Sequence, residues 1–185
     1  MTVICGSSRS LIHLTVSALG LALGGVALAK ETKAPPKPQN VLSPDAALKR
    51  LMEGNARYAA NTPNERDFSS GRAARAQAQY PIAAILGCAD SRVAPELAFD
   101  QAPGDLFVVR VAGNFVTPDL LASLEYGVQF LGAPLIIVLG HSGCGAVDAA
   151  IKVLKTKAVL PGHLPQLVGA IKPAVVAAEK TQGGT

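Results

Sequence analysis

Ile82-Ala83-Ala84-Ile85-Leu86-Gly87-Cys88 and Leu135-Ile136-Ile137-Val138-Leu139-Gly140-His141 share one pattern. Each is an unbroken apolar run that ends in a glycine and then in a side chain able to bind a metal or a proton. A strand built from such a run is apolar on both faces, which suits a parallel sheet covered on both sides by helices. Residues 106–112, with Val108, Val109 and Val111, form a third run of this kind. After it, Thr117-Pro118-Asp119 opens a helix whose Leu120, Leu124, Val128 and Leu131 share one stripe, and Gly132 closes it with Pro134 just beyond. Strand, helix and strand in this order predict an α/β sandwich with a mainly parallel central sheet flanked by helices. Such sheets bind ligands beyond the carboxyl ends of their strands, so Cys88 and His141 fall on one rim.

Upstream, Ser43-Pro44-Asp45 reads as an N-cap, a first-turn proline and an acidic residue opening a helix. Leu48, Leu51, Met52, Asn55 and Tyr58 share a face of it, and the polar run 61–70 ends it. Residues 30–42 form a linker whose core, KAPPKPQ at 33–39, is a proline-rich spacer. Residues 1–29 read as a signal peptide: Arg9, an apolar stretch over 11–28, and the small-x-small site Ala27-Leu28-Ala29. No twin arginine precedes the stretch, so the expectation is export by the general secretory route, in a bacterium to the periplasm. An uncleaved membrane anchor is the alternative, since the stretch is nearly long enough to span a bilayer. Gly20, Gly24, Gly25 and the cleavage site weigh toward a leader, after whose removal no membrane association is expected. The folded domain is then 43–185, with one long helical stretch over 163–179.

Formal net charge is +4, or about +3 without Arg9, and no basic block concentrates it. With only 4% aromatic residues to stack on bases, nucleic acid is not an expected partner. Of three cysteines and three histidines, Cys5 and His13 would leave with the leader, and Cys88, Cys144, His141 and His163 remain. In an exported protein the default for two cysteines is a disulfide, and a metal site has to be weighed against it.

Two segments concentrate the chemistry, GCADSRV at 87–93 and GHSGCG at 140–145. Two thiolates and an imidazole at neighbouring strand ends can occupy three corners of a tetrahedron, the geometry zinc accepts. Glycines at 143 and 145 keep side chains from crowding that point. Asp90 is near enough to Cys88 to be a fourth ligand, which would make the site closed and structural. Arg92 offers Asp90 a competing bidentate partner; if it holds the carboxylate away, the fourth corner is left for water. Two thiolates donate more charge than imidazoles do, so water on such a metal should be less acidic and activity should fall at low pH.

CADSR and HSGC resemble the paired zinc motifs of beta-class carbonic anhydrases. The similarity runs through most of 79–147 and includes PGDLFVVRVAGN and SLEYGVQFL. The resemblance implies that Cys88, His141 and Cys144 hold one Zn2+ per chain, and that Asp90 and Arg92 form the dyad that opens or closes the site. It implies reversible hydration of carbon dioxide to bicarbonate by a zinc-bound hydroxide, with Asp90 orienting the hydroxide and Arg92 positioning Asp90. Gln79, Phe107 and Tyr126 fall where relatives build the substrate pocket across a dimer interface, and the Gly145 amide where it would bind a bicarbonate oxygen. The implied assembly is a homodimer or higher homo-oligomer whose N-terminal helices wrap the neighbour. Family members usually continue beyond position 185, so the domain is expected to be truncated at its C-terminal end. Many relatives are cytoplasmic, and the leader departs from that pattern.

Other readings of the same residues stay open. Cys88, Asp90, His141 and Cys144 together would make a purely structural zinc site. The same scaffold could hydrolyse carbon disulfide or carbonyl sulfide, or bind zinc without catalysing anything. Packing alone would account for Phe107 and Tyr126. His163 reads as a solvated residue at a helix start, and Glu96 and Asp105 as turn caps or surface pairs.

Overall fold

The structure, a computed structural model, describes residues 3–7, 42–69 and 71–181. Among the described residues one four-stranded sheet runs in the order β1 (Val3–Ser7), β4 (Leu135–Leu139), β2 (Ala83–Gly87), β3 (Leu106–Arg110). Its centre is β2 (Ala83–Gly87), buried at every position, as an apolar run without alternation requires. On either side lie β3 (Leu106–Arg110) and β4 (Leu135–Leu139), both parallel to it. The mainly parallel sheet with flanking helices expected from the three runs is therefore present. β1 (Val3–Ser7), inside the expected leader, pairs antiparallel with β4. The rest of the expected leader and nearly all of the linker lie outside the described residues. No helix among those described is long and apolar enough to cross a membrane.

Helix α1 (Pro44–Ala59) begins where its capping signals place it, with the Ser43 hydroxyl accepting from the Ala46 amide at 3.2 Å. Its buried face differs from the expected one. Ala47, Leu51 and Gly54 point inward, whereas Met52 and Tyr58 are about half exposed, at 45% and 47%. Small residues bring α1 close enough that a Cβ on Gly54 would stand 1.8 Å from the Phe99 carbonyl oxygen. The stripe of large side chains was a misleading guide because the tightest contact is made through backbone. Two short helices, α2 (Arg72–Gln77) and α3 (Pro95–Ala98), are too brief to carry a periodic signal. Helix α4 (Pro118–Gln129) is capped by Thr117 and covers the β2–β3 face, with Leu124 buried against Ala84, Leu86 and Val109. Gly127 lets it settle onto β3, since a Cβ there would lie 2.9 Å from the Phe107 ring. Beyond β4, α5 (Gly145–Thr156) packs on α6 (Leu164–Thr181) through Ala150, Val168, Ile171 and Val175.

Asp100 ties the segment after α1 to the turn after α3. Its carboxylate, 2% exposed, accepts from Arg57 Nε at 2.6 Å, from the Arg66 guanidinium and from the Asn64 amide. Burial pushes its pKa up, but the two guanidiniums and the amide outweigh that and bring it to about 2. A folded-state pKa below the unfolded value of about 3.9 means stability that is complete above that value and lost as pH falls through the folded one. Asp100→Asn should thus lower stability at pH 7 by on the order of 2 kcal/mol. It should also flatten the fall in melting temperature between about pH 4 and about pH 2. Circular-dichroism melts at stepped pH check both; parallel wild-type and variant curves would contradict them.

Candidate metal centre

Three donors converge where the sheet ends. Cys88 leaves β2 immediately after Gly87, His141 follows β4 after Gly140, and Cys144 is the N-cap of α5. Their ligand atoms all lie within 4.8 Å of one another. Both cysteines are free and buried, with sulfurs 3.9 Å apart. A disulfide needs about 2.05 Å. An ion bound tetrahedrally at about 2.3 Å from each thiolate sets the two sulfurs about 3.8 Å apart, so the spacing fits a shared metal.

The imidazole is arranged for the same purpose. His141 Nδ1 lies 3.0 Å from the Ser142 carbonyl, which can only accept, so Nδ1 carries the proton. Nε2 is then the lone-pair nitrogen, and it is buried without a hydrogen-bond partner. A buried polar atom with no partner, aimed at two sulfurs, is what a metal ligand looks like before the metal is added. Gly143 adopts φ +64°, which makes glycine necessary there on backbone grounds. A Cβ built at Gly143 or Gly145 would meet no protein atom within 4 Å, so both positions stay open beside the donor set.

Burial pushes the Cys88 thiol up. The Gly113 amide, donating to its sulfur at 3.3 Å, together with His141, the Asp90 backbone and Cys144, reverses this and brings it down to about 7. The Cys88 sulfur raises the His141 pKa against the effect of burial, helped by the Ser142 carbonyl and the Asp90 charge. The cluster favours a positive charge at its centre, which a divalent cation would supply in place of a proton.

Asp90 stands beside these donors. Arg92 holds both of its oxygens, Nε to Oδ1 at 2.8 Å and Nη2 to Oδ2 at 2.7 Å, and the Arg92 amide adds a bond to Oδ1 at 2.9 Å. These hydrogen bonds hold the Asp90 carboxyl well below the usual carboxylate range. Arg92 Nη2 also donates to the Gly143 carbonyl at 3.1 Å, joining the two motif loops. Asp90 Oδ2 lies 3.8 Å from His141 Nε2, within reach of the donor set but committed to Arg92.

The expected substrate residues are more dispersed. Phe107 and Tyr126 are neighbours, with ring centroids 6.2 Å apart, and Tyr126 stacks on Phe130 at 5.3 Å. Gln79 lines a separate depression with Arg75, Pro103 and Gly104. Gly145 opens α5, so its amide is among the unpaired donors of a helix N-terminus. His163 is exposed and lines a depression with Phe115, Thr117 and Leu167. Asp105 pairs with Arg50 at 2.8 Å and accepts from the Ala102 amide, as a surface pair and turn cap. The reading of the sequence missed the Gly113 amide that supports Cys88. Its only signal was a glycine at a strand exit, here at φ +84°.

Residues 83–185 match the family model described as carbonic anhydrase. Carbonic anhydrase 2 of Mycobacterium tuberculosis is 46% identical over 135 residues, which cover 72% of this chain and 65% of that protein. A carbonic anhydrase of Mycolicibacterium smegmatis is 44% identical over 139 residues, covering 75% of this chain and 68% of that one. The chain thus spans about two thirds of the length of these curated relatives. Among solved structures, a tetrameric beta-carbonic anhydrase of Sordaria macrospora superposes with a TM-score of 0.54 at 26% identity, over 75% of this chain and 69% of the other. The Coccomyxa beta-carbonic anhydrase in complex with acetazolamide does so with 0.52 at 29%, over 75% and 61%. With the family model matching more than half of its residues and its fold shared with those structures, the chain belongs to the beta-class carbonic anhydrase family.

Proposed function

We propose that this protein catalyses the reversible hydration of carbon dioxide to bicarbonate, with Cys88, His141 and Cys144 holding one Zn2+ per chain. The observation that carries this reading is the buried, partnerless His141 Nε2 facing two free sulfurs beside a carboxylate locked by Arg92. The names of the mycobacterial relatives support it. When bound, zinc supplies Lewis-acid activation of water.

The chain's own groups do the rest. Arg92 keeps Asp90 ionised and engages both of its oxygens, so the carboxylate is a fixed acceptor that can take a hydrogen bond from the attacking water and orient it. The Gly145 amide at the start of α5 offers a donor to a developing bicarbonate oxygen. Gln79, Phe107 and Tyr126 would build the substrate pocket across an interface with a second copy of the chain. Exposed Leu121 and Tyr126 on α4, with Phe130 at its C-cap, support assembly as a homodimer or higher oligomer, as does the tetrameric neighbour. The Cys88 thiol must lose its proton to accept a metal, so uptake weakens as pH drops below about 7. Secretion behind a cleaved leader, a linker over 30–42 and a domain from 43 onward complete the proposal.

Stopped-flow hydration with a pH indicator, run beside hydrolysis assays with carbon disulfide and carbonyl sulfide, tests the activity. Zinc-dependent turnover of carbon dioxide well above the other two is expected. Turnover of a sulfur-containing gas instead would make the protein a related hydrolase, and a zinc-loaded but inert protein would make it a binding module.

A further inference from the structure

Cys88 and Asp90 both hang from the loop 88–93, and three of that loop's carbonyls converge on one side chain outside it. Arg110, the last residue of β3 and the cross-strand partner of Gly87, donates from Nε to the Cys88 carbonyl at 2.8 Å. Its Nη2 donates to the carbonyls of Asp90 at 2.7 Å and Val93 at 3.0 Å. We propose that Arg110 is a positioning residue that fixes the loop 88–93, and through it the Cys88 sulfur and the Asp90 carboxylate, relative to His141 and Cys144.

The loop leaves a strand, turns, and enters α3, so its carbonyls point away from any sheet partner. Only the Ala89 amide continues the pairing, to the Val111 carbonyl at 3.1 Å, and one turn bond runs from the Val93 amide to the Asp90 carbonyl at 3.2 Å. A guanidinium is a rigid plane carrying five N–H groups, and can gather three acceptors at once. An ammonium offers its donors from a single point on a flexible stem. Arg110 therefore clamps the loop from the β3 side, while Arg92 ties it to Gly143 on the β4 side. Arg110 is not one of the three donors and acts through the groups it places, and small misplacements at such a centre are expensive.

The inference rests on the metal reading above for its consequence, but its structural part has a separate readout. Arg110→Lys and Arg110→Gln would be compared with wild type and with Arg50→Gln, which removes an ion pair from α1 to Asp105. Melting temperature, hydrogen exchange of the peptide covering 88–93, and zinc affinity by competition with a chromophoric chelator would be measured on the full chain. Both Arg110 variants should melt no lower than Arg50→Gln. Exchange over 88–93 should quicken by on the order of tenfold in the metal-free protein, and zinc should bind roughly 10- to 100-fold more weakly. Lysine should not restore either property. Unchanged exchange over 88–93 overturns the proposal whether or not zinc binds, and so does a loss of affinity no greater than that of Arg50→Gln. Quickened exchange in a protein whose wild type takes up no zinc upholds the clamp and overturns the metal reading instead.

Discussion

Cys88→Ser is expected to leave the purified protein essentially without zinc and without carbon dioxide hydration. The substitution keeps the shape but replaces a thiolate with a hydroxyl that stays protonated near neutral pH. Structural zinc sites bind with about 10–16 kcal/mol shared among four ligands, so one ligand accounts for roughly 3 kcal/mol, or about two decades of affinity. A site with only three protein donors has less to spare. Retention of the Cys144 sulfur and His141 Nε2 cannot compensate, because neither can move to a second corner from a strand end or a helix cap. Metal analysis after dialysis against a chelator, beside a melt showing an intact fold, reads the effect. A zinc-loaded, active Cys88→Ser protein would remove Cys88 from the ligand set.

The second large effect separates ligand from gate. Arg92→Ala should retain zinc after the same dialysis while hydration falls by about 100-fold. Removing the guanidinium takes away both of its bonds to the Asp90 oxygens and the link to Gly143. The freed carboxylate, 3.8 Å from His141 Nε2, can then turn into the donor set and close it. Arg92→Lys should recover little, since one ammonium cannot hold both oxygens in a plane. If Arg92→Ala hydrates carbon dioxide at the wild-type rate, the dyad has no gating role.

Much of this architecture was legible because the relevant signals are local. Runs such as 82–86 and 135–139 have no polar alternation, which only a sheet buried on both faces tolerates, and the residues that follow them must emerge at one rim. Ser43 and Thr117 marked their helix starts because a hydroxyl before a proline meets amide donors that nothing else satisfies. What stayed hidden depends on contacts far apart in the chain. The burial of Gly54 is dictated by the Phe99 carbonyl, and the Asp100 cluster joins arginines at 57 and 66 to a turn that no periodicity announces. Arg110 lies inside the run 106–112 in sequence, and only the folded loop reveals three carbonyls around it. The strand Val3–Ser7 lies ahead of Arg9 and the apolar stretch 11–28, in residues read as the start of a leader.

On the proposed reading, Cys88, His141 and Cys144 grip one metal ion while Arg92 keeps Asp90 off it. X-ray absorption at the zinc edge on the purified protein tests this directly. The expected spectrum has two sulfur neighbours at about 2.3 Å and two nitrogen or oxygen neighbours at about 2.0–2.1 Å, unchanged in number when Asp90 is replaced by Asn. Zinc-free protein whose two thiols are bonded to each other, or a first shell that loses a neighbour in Asp90→Asn, would contradict it.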